Sequence, residues 1–154
     1  MLAEHMDRRH DDMGLIRLEE DECWQFLARH SLGRVGLVHM EYPMIFPVNY
    51  ALDGRSVVFR TAPGTKLAIA AAGRAVAFEV DEVTELFETG TSVMLHGTMR
   101  EVVSVDDRAR LESLPIRVWA PGNRDRFVQI EPEWVTGRRI PYHQGDDGVA
   151  ADGG

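Results

Sequence analysis

Cysteine and long apolar runs are what this sequence most conspicuously lacks. Its 154 residues include one cysteine, Cys23, so an internal disulfide framework is excluded. No apolar run is long enough to span a bilayer, and the N-terminus does not read as a signal peptide. We therefore expect a cytoplasmic protein without a membrane partner.

Positive charge is also scarce. The chain has 17 lysines and arginines against 25 acidic residues, a formal net charge of −8. This charge opposes that of a nucleic-acid backbone, and no basic stripe with interleaved aromatic residues appears, so we expect no nucleic-acid partner. A small phosphorylated ligand remains compatible with the sequence, because it needs only a local basic cluster.

Motifs for metal binding and nucleotide hydrolysis are missing as well. His5 and His10 lack a frame of cysteine or carboxylate ligands, so we expect no metal site. The stretch at 63–66, Pro-Gly-Thr-Lys, lacks the spacing of the P-loop motif G-x-x-x-x-G-K-[ST]. The missing motif excludes a P-loop nucleotide hydrolase. The missing ligands give no support to a metal-dependent protein.

The length and an apolar fraction of 44% predict one domain with a real core. Residues 1–13 mix charges and histidines without a period, and residues 143–154 are rich in Asp and Gly. We expect both ends to be mobile tails around a single domain at 14–142.

The strongest local signal lies at residues 46–67. Asp53-Gly54 separates two apolar runs and readily adopts the positive φ angles of a tight turn. Residues 44–52 and 55–61 are therefore predicted to pair as an antiparallel hairpin.

An anion-binding signal follows this hairpin. Arg60, Thr61, Thr65 and Lys66 bring cations and hydroxyls to a glycine-containing loop, and the Ala-rich run 67–72 is predicted to begin a helix there. A hydrogen bond to a charged partner contributes roughly 1.5 to 3 kcal/mol, against roughly 0.3 to 1 for a helix dipole, so the cations would dominate. The alternative is that both cations are solvated charges beside a turn.

Further elements follow from periodicity and from turn residues. Residues 19–30 predict an amphipathic helix with Cys23 in the core, and Asp106 is predicted to cap a short helix ending at Leu114. Strands are predicted at 34–40, 75–81, 91–103 and 126–130, and Pro132 should separate the fourth of them from a last strand at 134–140.

Two residues inside these strands predict interruptions. Pro47 should sit at an edge, at a bulge or at an opening left for a ligand, and Gly97 should bend its strand. Six or seven antiparallel strands with few helices predict a mainly β fold, a small barrel.

His96 could be an acid or base, but a lone histidine on a polar strand face is more often a surface residue. No catalytic residue is assigned.

Several motifs in this order resemble the pyridoxamine 5'-phosphate oxidase-like flavin-binding family. The resemblance covers roughly residues 16–140 and rests on Gly33-Arg34-Val35, Pro47-Val48-Asn49-Tyr50, Asp53-Gly54, Phe59-Arg60-Thr61, Gly64-Thr65-Lys66-Leu67, Val76-Ala77-Phe78-Glu79-Val80-Asp81 and Thr136-Gly137-Arg138-Arg139-Ile140. The order of these motifs is more specific than any one of them.

The resemblance implies a split β-barrel that forms a homodimer, with FMN in a groove at the interface. Residues that match the family's cofactor contacts fall into three groups. The backbone of Pro47, Val48 and Asn49 would line the isoalloxazine; Arg60, Thr61, Thr65 and Lys66 would hold the phosphate; Ser92, Trp134 and Arg138 would complete the site, the last two from the partner chain.

The resemblance also has two departures. Where many relatives have Gly-Trp-Ser-Val, this chain has Gly90-Thr91-Ser92-Val93, and His96 stands where they often place arginine. The chain is also shorter than pyridoxamine phosphate oxidases and lacks their C-terminal Arg-x-His/Asn-Asp-Arg motif, so the family label does not imply that substrate.

Three functions remain open from the sequence. The first is an FMN-dependent oxidoreductase acting on a small-molecule substrate or electron donor. The second is a non-catalytic protein that binds a flavin, a deazaflavin or a tetrapyrrole such as haem for storage, sensing or sequestration. The third is a ligand-free dimeric interaction module, in which Arg60 and Lys66 would have no ligand.

Overall fold

The structure is a computed structural model, and it describes residues 10–65, 67–68 and 71–142. Strands dominate the described residues. In chain order the elements are β1 (Ile16–Arg17), α1 (Glu20–Arg29), β2 (Leu32–His39), β3 (Tyr42–Asp53), β4 (Ser56–Thr61), β5 (Ala72–Thr84), a 3-10 turn (Glu85–Phe87), β6 (Thr89–Glu101), α2 (Val105–Leu111) and β7 (Arg126–Ile140).

The strands form one antiparallel sheet that closes on itself. Its order is β1-β7-β4-β3-β2-β5-β6, and β6 also pairs with β7, so six strands make a ring and β1 adds to the outside of β7. Closure leaves fewer strand edges unpaired than an open sheet would. The predicted mainly β, antiparallel split barrel is confirmed.

The hairpin predicted at Asp53-Gly54 is confirmed. Strands β3 and β4 are antiparallel, Asp53 pairs with Ser56, and Gly54 has a φ of 59°. A residue with a side chain is strained at such an angle, whereas glycine adopts it readily.

Helix α1 packs on one end of the barrel, as its apolar face predicts. A capping box between Glu19 and Glu22 satisfies backbone N–H groups at its start. Cys23 and Leu27 are fully buried in the main core, and the Tyr50 hydroxyl donates a hydrogen bond to the Leu27 carbonyl. The predicted position of Cys23 in the core is therefore confirmed.

The main core fills the barrel with alternate residues of the strands. The apolar residues predicted to share one face of each strand are buried: Val76, Phe78 and Val80 of β5, and Val93, Leu95 and Met99 of β6. The intervening residues face outward, as a period of two requires.

A second, smaller core lies on the outer face of the sheet. Val58 and Phe127 point outward there and are covered by Leu111 of α2. The cap of α2 differs from the prediction: Ser104, not Asp106, accepts a hydrogen bond from a backbone N–H, at 3.4 Å from Asp107. The helix also ends at Leu111, before Leu114.

The prediction of two strands around Pro132 was wrong, because β7 runs without a break from Arg126 to Ile140. His96 pairs with Trp134 but Gly97 pairs with Pro132, so Glu133 is an extra residue in a bulge. Proline is tolerated beside a bulge because the ladder is already interrupted there. Gly97, which is predicted to bend its strand, lies at this shift in register.

The structure can be compared with two further predictions, the mobile tails and the helix at 67–72. Residues 10–13, assigned to the N-terminal tail, form a turn in which the Asp11 carboxylate accepts hydrogen bonds from the N–H groups of Met13 and Leu15. Residues 1–9 and 143–154 lie outside the described residues.

Of the helix predicted at 67–72, Leu67 and Ala68 are helical and Ala72 begins β5, while residues 69 and 70 are outside the described part.

Helices are short in this fold. Within the described ranges, none has the length and apolarity needed to cross a membrane.

Candidate functional site

The barrel opens where β3 and β4 separate. Their ladder ends at the pair Tyr50 and Phe59, although β3 begins at Tyr42 and β4 continues to Thr61. Residues 42–49 of β3 pair with β2, and Arg60 and Thr61 pair with β7. The residues on either side of this opening, which we call the β3–β4 split, are therefore those that the sequence singled out.

Alternation sorts these residues between the two faces of the sheet. Val48 and Thr61 are 7% and 1% exposed and point into the barrel. Asn49 and Arg60 are partly buried and Pro47 is exposed on the outer face. Of the three positions predicted for Pro47, an edge, a bulge or an opening, the structure shows a residue that pairs with β2 and has no partner in β4.

The polar groups on the outer side of the split include two donors without partners. Asn49 Nδ2 and Arg60 Nε are buried and make no hydrogen bond to any described residue. The other end of the Asn49 amide is held, because Oδ1 accepts a hydrogen bond from the Trp119 backbone N–H at 3.1 Å. The Arg60 guanidinium lies over the Phe127 ring, with Cζ 5.0 Å from the ring centroid.

Two threonines organise the loop that follows β4. Thr65 Oγ1 donates to the Ala62 carbonyl at 3.0 Å and accepts from the Ala68 N–H at 3.2 Å. Since its single proton is used there, the contact of 2.8 Å with Thr61 Oγ1 has Thr61 as the donor. Both hydroxyl protons stay within the loop, so these threonines shape it. Lys66 lies outside the described residues.

The remaining predicted residues are on β6 and β7. Ser92 pairs with Arg138, and His96 pairs with Trp134 and stacks on it. Strand β7 also pairs with β4, but Arg60 and Thr61 lie opposite Phe127 and Arg126. Trp134 is seven residues further along β7 than Phe127, so a single chain does not bring the two groups together. Trp134 is 52% exposed.

Arg138 is held by its own chain. Its Nε donates to Asp11 Oδ2 at 3.1 Å and its Nη1 donates to the Gly137 carbonyl. The pKa of the Asp11 carboxyl is lowered, first by the Leu15 backbone N–H and, to a smaller extent, by Arg138. No periodic pattern in the sequence indicates this contact.

An apolar groove of about 380 Å³ runs along the outer face between the split and these residues. Two small residues, Gly36 and Ala77, form its floor, while Ile45 lies on one side and His96 on the other. Ile45 is 72% exposed. A floor of small residues lets a flat ring approach the sheet.

Charged groups that the sequence did not assign to the site lie on the same face. Arg34, which pairs with Pro47, is 3.6 Å from the Glu79 carboxylate and 3.4 Å from that of Asp81. Burial, and then the neighbouring Asp81, raise the pKa of Glu79, which Arg34 partly opposes. Strand alternation could have indicated this cluster, because it places all three side chains outward.

The pyridoxamine 5'-phosphate oxidase family matches residues 19–139, nearly all of the described chain. The chain belongs to this family. The resemblance derived from the motifs is therefore confirmed.

Two mycobacterial proteins are similar to this chain, one in sequence and one in sequence and structure. The uncharacterized protein Rv0080 of Mycobacterium tuberculosis is 37% identical over 132 residues, which cover 82% of this chain and 86% of that protein. The FAD binding protein from Mycobacterium smegmatis superposes with a TM-score of 0.73 at 35% identity, covering 82% of this chain and 99% of that one.

A more distant structure shows the fold alone. The FAD and heme binding protein from Mycobacterium smegmatis has a TM-score of 0.68 at 17% identity, covering 90% of this chain and 80% of that one. The same fold therefore occurs in a protein with which this chain shares only 17% identity.

Proposed function

We propose that this protein binds a flavin nucleotide at the β3–β4 split and uses it as an oxidoreductase. The observation that carries the proposal is the pair of buried donors, Asn49 Nδ2 and Arg60 Nε, which lack partners among the described residues. They lie on one face of the sheet, beside the point where the ladder stops.

The chemistry of these donors selects the kind of ligand. An unsatisfied buried donor costs roughly 1 to 3 kcal/mol, and an acceptor-rich ligand removes that cost. Arg60 carries a permanent positive charge, so a phosphate suits it better than a neutral carbonyl. Lys66 follows in the same loop of the sequence, and its contribution remains a prediction.

The groove on the outer face suits the ring of a flavin. Its lining is almost entirely apolar, and its floor at Gly36 and Ala77 is low enough for a planar group. When bound, a flavin supplies hydride or single-electron transfer, while the protein supplies binding, orientation and exclusion of water. The FAD binding relative at 35% identity supports the flavin class.

FMN and FAD both satisfy these requirements, because they share the ring and the first phosphate. FMN, which the family resemblance implied, remains the minimal ligand of the proposal. The split and the groove would hold only the parts that both molecules have.

We further propose that the working unit is a homodimer. Large apolar residues on the outer face are exposed in the single chain, among them Val38, Ile45, Met94 and Trp134. A second copy would cover them and bring its own Trp134 and Arg138 toward the split. An obligate interface of this kind buries on the order of 2,000 Å² or more.

The visible spectrum of the purified protein, with the mass of any released cofactor, tests the proposal. We expect flavin absorption, or its appearance after FMN or FAD is added. A haem or deazaflavin spectrum would favour the non-catalytic alternative with another cofactor. A colourless protein that takes up no flavin would overturn the proposal in favour of a ligand-free module.

A further inference from the structure

Trp119 is an exposed aromatic residue whose backbone is hydrogen-bonded to the proposed flavin site. Its backbone N–H donates to Asn49 Oδ1 at 3.1 Å, although 70 residues separate the two in sequence. Its side chain is 69% exposed. A tryptophan that is fixed by its backbone but exposed through its ring offers a large apolar surface beside the split.

The segment that carries Trp119 is anchored on both sides. We call residues 112–125 the crossing segment, because it leads from α2 to β7 over the outer face. Leu114 and Ile116 pack on the second core, and Arg108 Nη2 donates to the Asp125 carbonyl at 3.1 Å. The position of the Trp119 backbone is therefore determined by contacts on either side of it.

The crossing segment also carries two arginines, between the acidic residues at its two ends, Glu112 and Asp125. Arg117 precedes Trp119 by two residues and Arg124 follows it by five. Arg117 is exposed, whereas Arg124 Nε is buried without a hydrogen-bond partner among the described residues. An additional phosphate beyond the one at Arg60 would suit these cations.

We infer that Trp119 is a specificity-determining residue that stacks on the adenine ring of FAD and so favours FAD over FMN. This inference rests on the proposed flavin site. FAD differs from FMN by an adenosine phosphate attached to the first phosphate. The crossing segment supplies an aromatic face and two arginines for those added groups, while the split and groove serve the shared part.

Titration of flavin-free protein with FAD, FMN and riboflavin tests the inference, with fluorescence and calorimetry as readouts. Trp119→Ala removes the ring but keeps the backbone N–H, so the bond to Asn49 is retained. Base stacking on an aromatic side chain predicts roughly a five- to hundredfold loss of FAD affinity. FMN affinity should not change, and Trp119→Phe should restore most of the affinity for FAD.

The controls separate the inference from the proposed function. A parent protein that binds none of the three ligands overturns both. A parent that binds FMN and FAD equally, or a Trp119→Ala variant that weakens the two alike, overturns the role of Trp119 and leaves the flavin site standing. ADP should compete with FAD in the parent and compete less well in Trp119→Ala; equal competition would also overturn the inference.

Discussion

The His96 imidazole lies stacked on the Trp134 indole, with ring centroids 4.7 Å apart and planes inclined by 21°. The pair stands on the outer face of β6 and β7 at the edge of the apolar groove. Trp134 is about half exposed in a single chain, even though its ring stacks on His96. A surface of this kind is typical of a protein interface.

We predict a dimer through this face. Ile45→Glu, which puts a charge into the groove, should give a single species near 17.3 kDa in sedimentation at micromolar concentration, whereas the parent should have twice that mass. Leu86→Glu is the matched control, because Leu86 is 84% exposed and lies in the 3-10 turn away from the groove. A monomeric parent would contradict the prediction.

We predict that Arg60→Ala and Lys66→Ala each weaken FMN and FAD binding by roughly 1.5 to 3 kcal/mol, one to two powers of ten in Kd. Riboflavin has the same ring without a phosphate, so its affinity should respond little. Arg55→Ala is the control for lost charge, since Arg55 is paired with Glu20 and Asp21 at the surface. Titrations that superimpose on the parent would show that the phosphate lies elsewhere.

Deletion of residues 1–9 is predicted to leave Tm nearly unchanged, whereas Asp11→Ala should lower it. The Asp11 carboxylate accepts bonds from two backbone N–H groups and from Arg138. Its folded pKa is below the ordinary 3.8, so its contribution is present above that pH and is lost as the pH falls through the folded value.

Thermal melts of this variant at pH 7 and at low pH check the sign. The difference in Tm between parent and Asp11→Ala should shrink on acidification. Asp12→Ala is the matched control, because Asp12 is the next residue and is exposed. Equal Tm values for the Asp11→Ala and Asp12→Ala variants would count against the contact.

Gly97→Ala is predicted to destabilise the barrel by roughly 1 to 3 kcal/mol, as overpacking does. An added Cβ would lie 2.0 Å from the Glu131 carbonyl oxygen, which belongs to the backbone and cannot move aside easily. Gly36→Ala is the control, since its nearest contact would be 3.9 Å away. Denaturant unfolding should separate the two, and equal stabilities would refute the explanation.

Local signals predicted the elements that local chemistry determines. Asp53-Gly54 specified its turn, and the apolar face of α1 placed Cys23 in the core, because short-range periodicity and turn geometry decide such features. The cap of α2 was misassigned to Asp106, because Ser104 is an equally good capping residue and a helix of one or two turns has too short a period to choose between them.

The parts of the site that the sequence missed depend on tertiary contacts. Trp119 is in a segment without periodicity, and only the folded chain brings its N–H to Asn49. Pro132 was read as a break because the compensating bulge at Glu133 is a property of the β6–β7 ladder. The side-chain orientation of Arg60 likewise follows from the face it shares with Phe127.

The way β7 joins three ladders has a consequence for biosynthesis. This strand pairs with β1, β4 and β6, and it comes last among the described strands. At synthesis rates of about 5 to 20 residues per second, roughly 4 to 16 s separate the completion of β4 from that of β7. During that interval β4 has an unpaired edge, so nascent chains are most exposed to one another before the final strand is made.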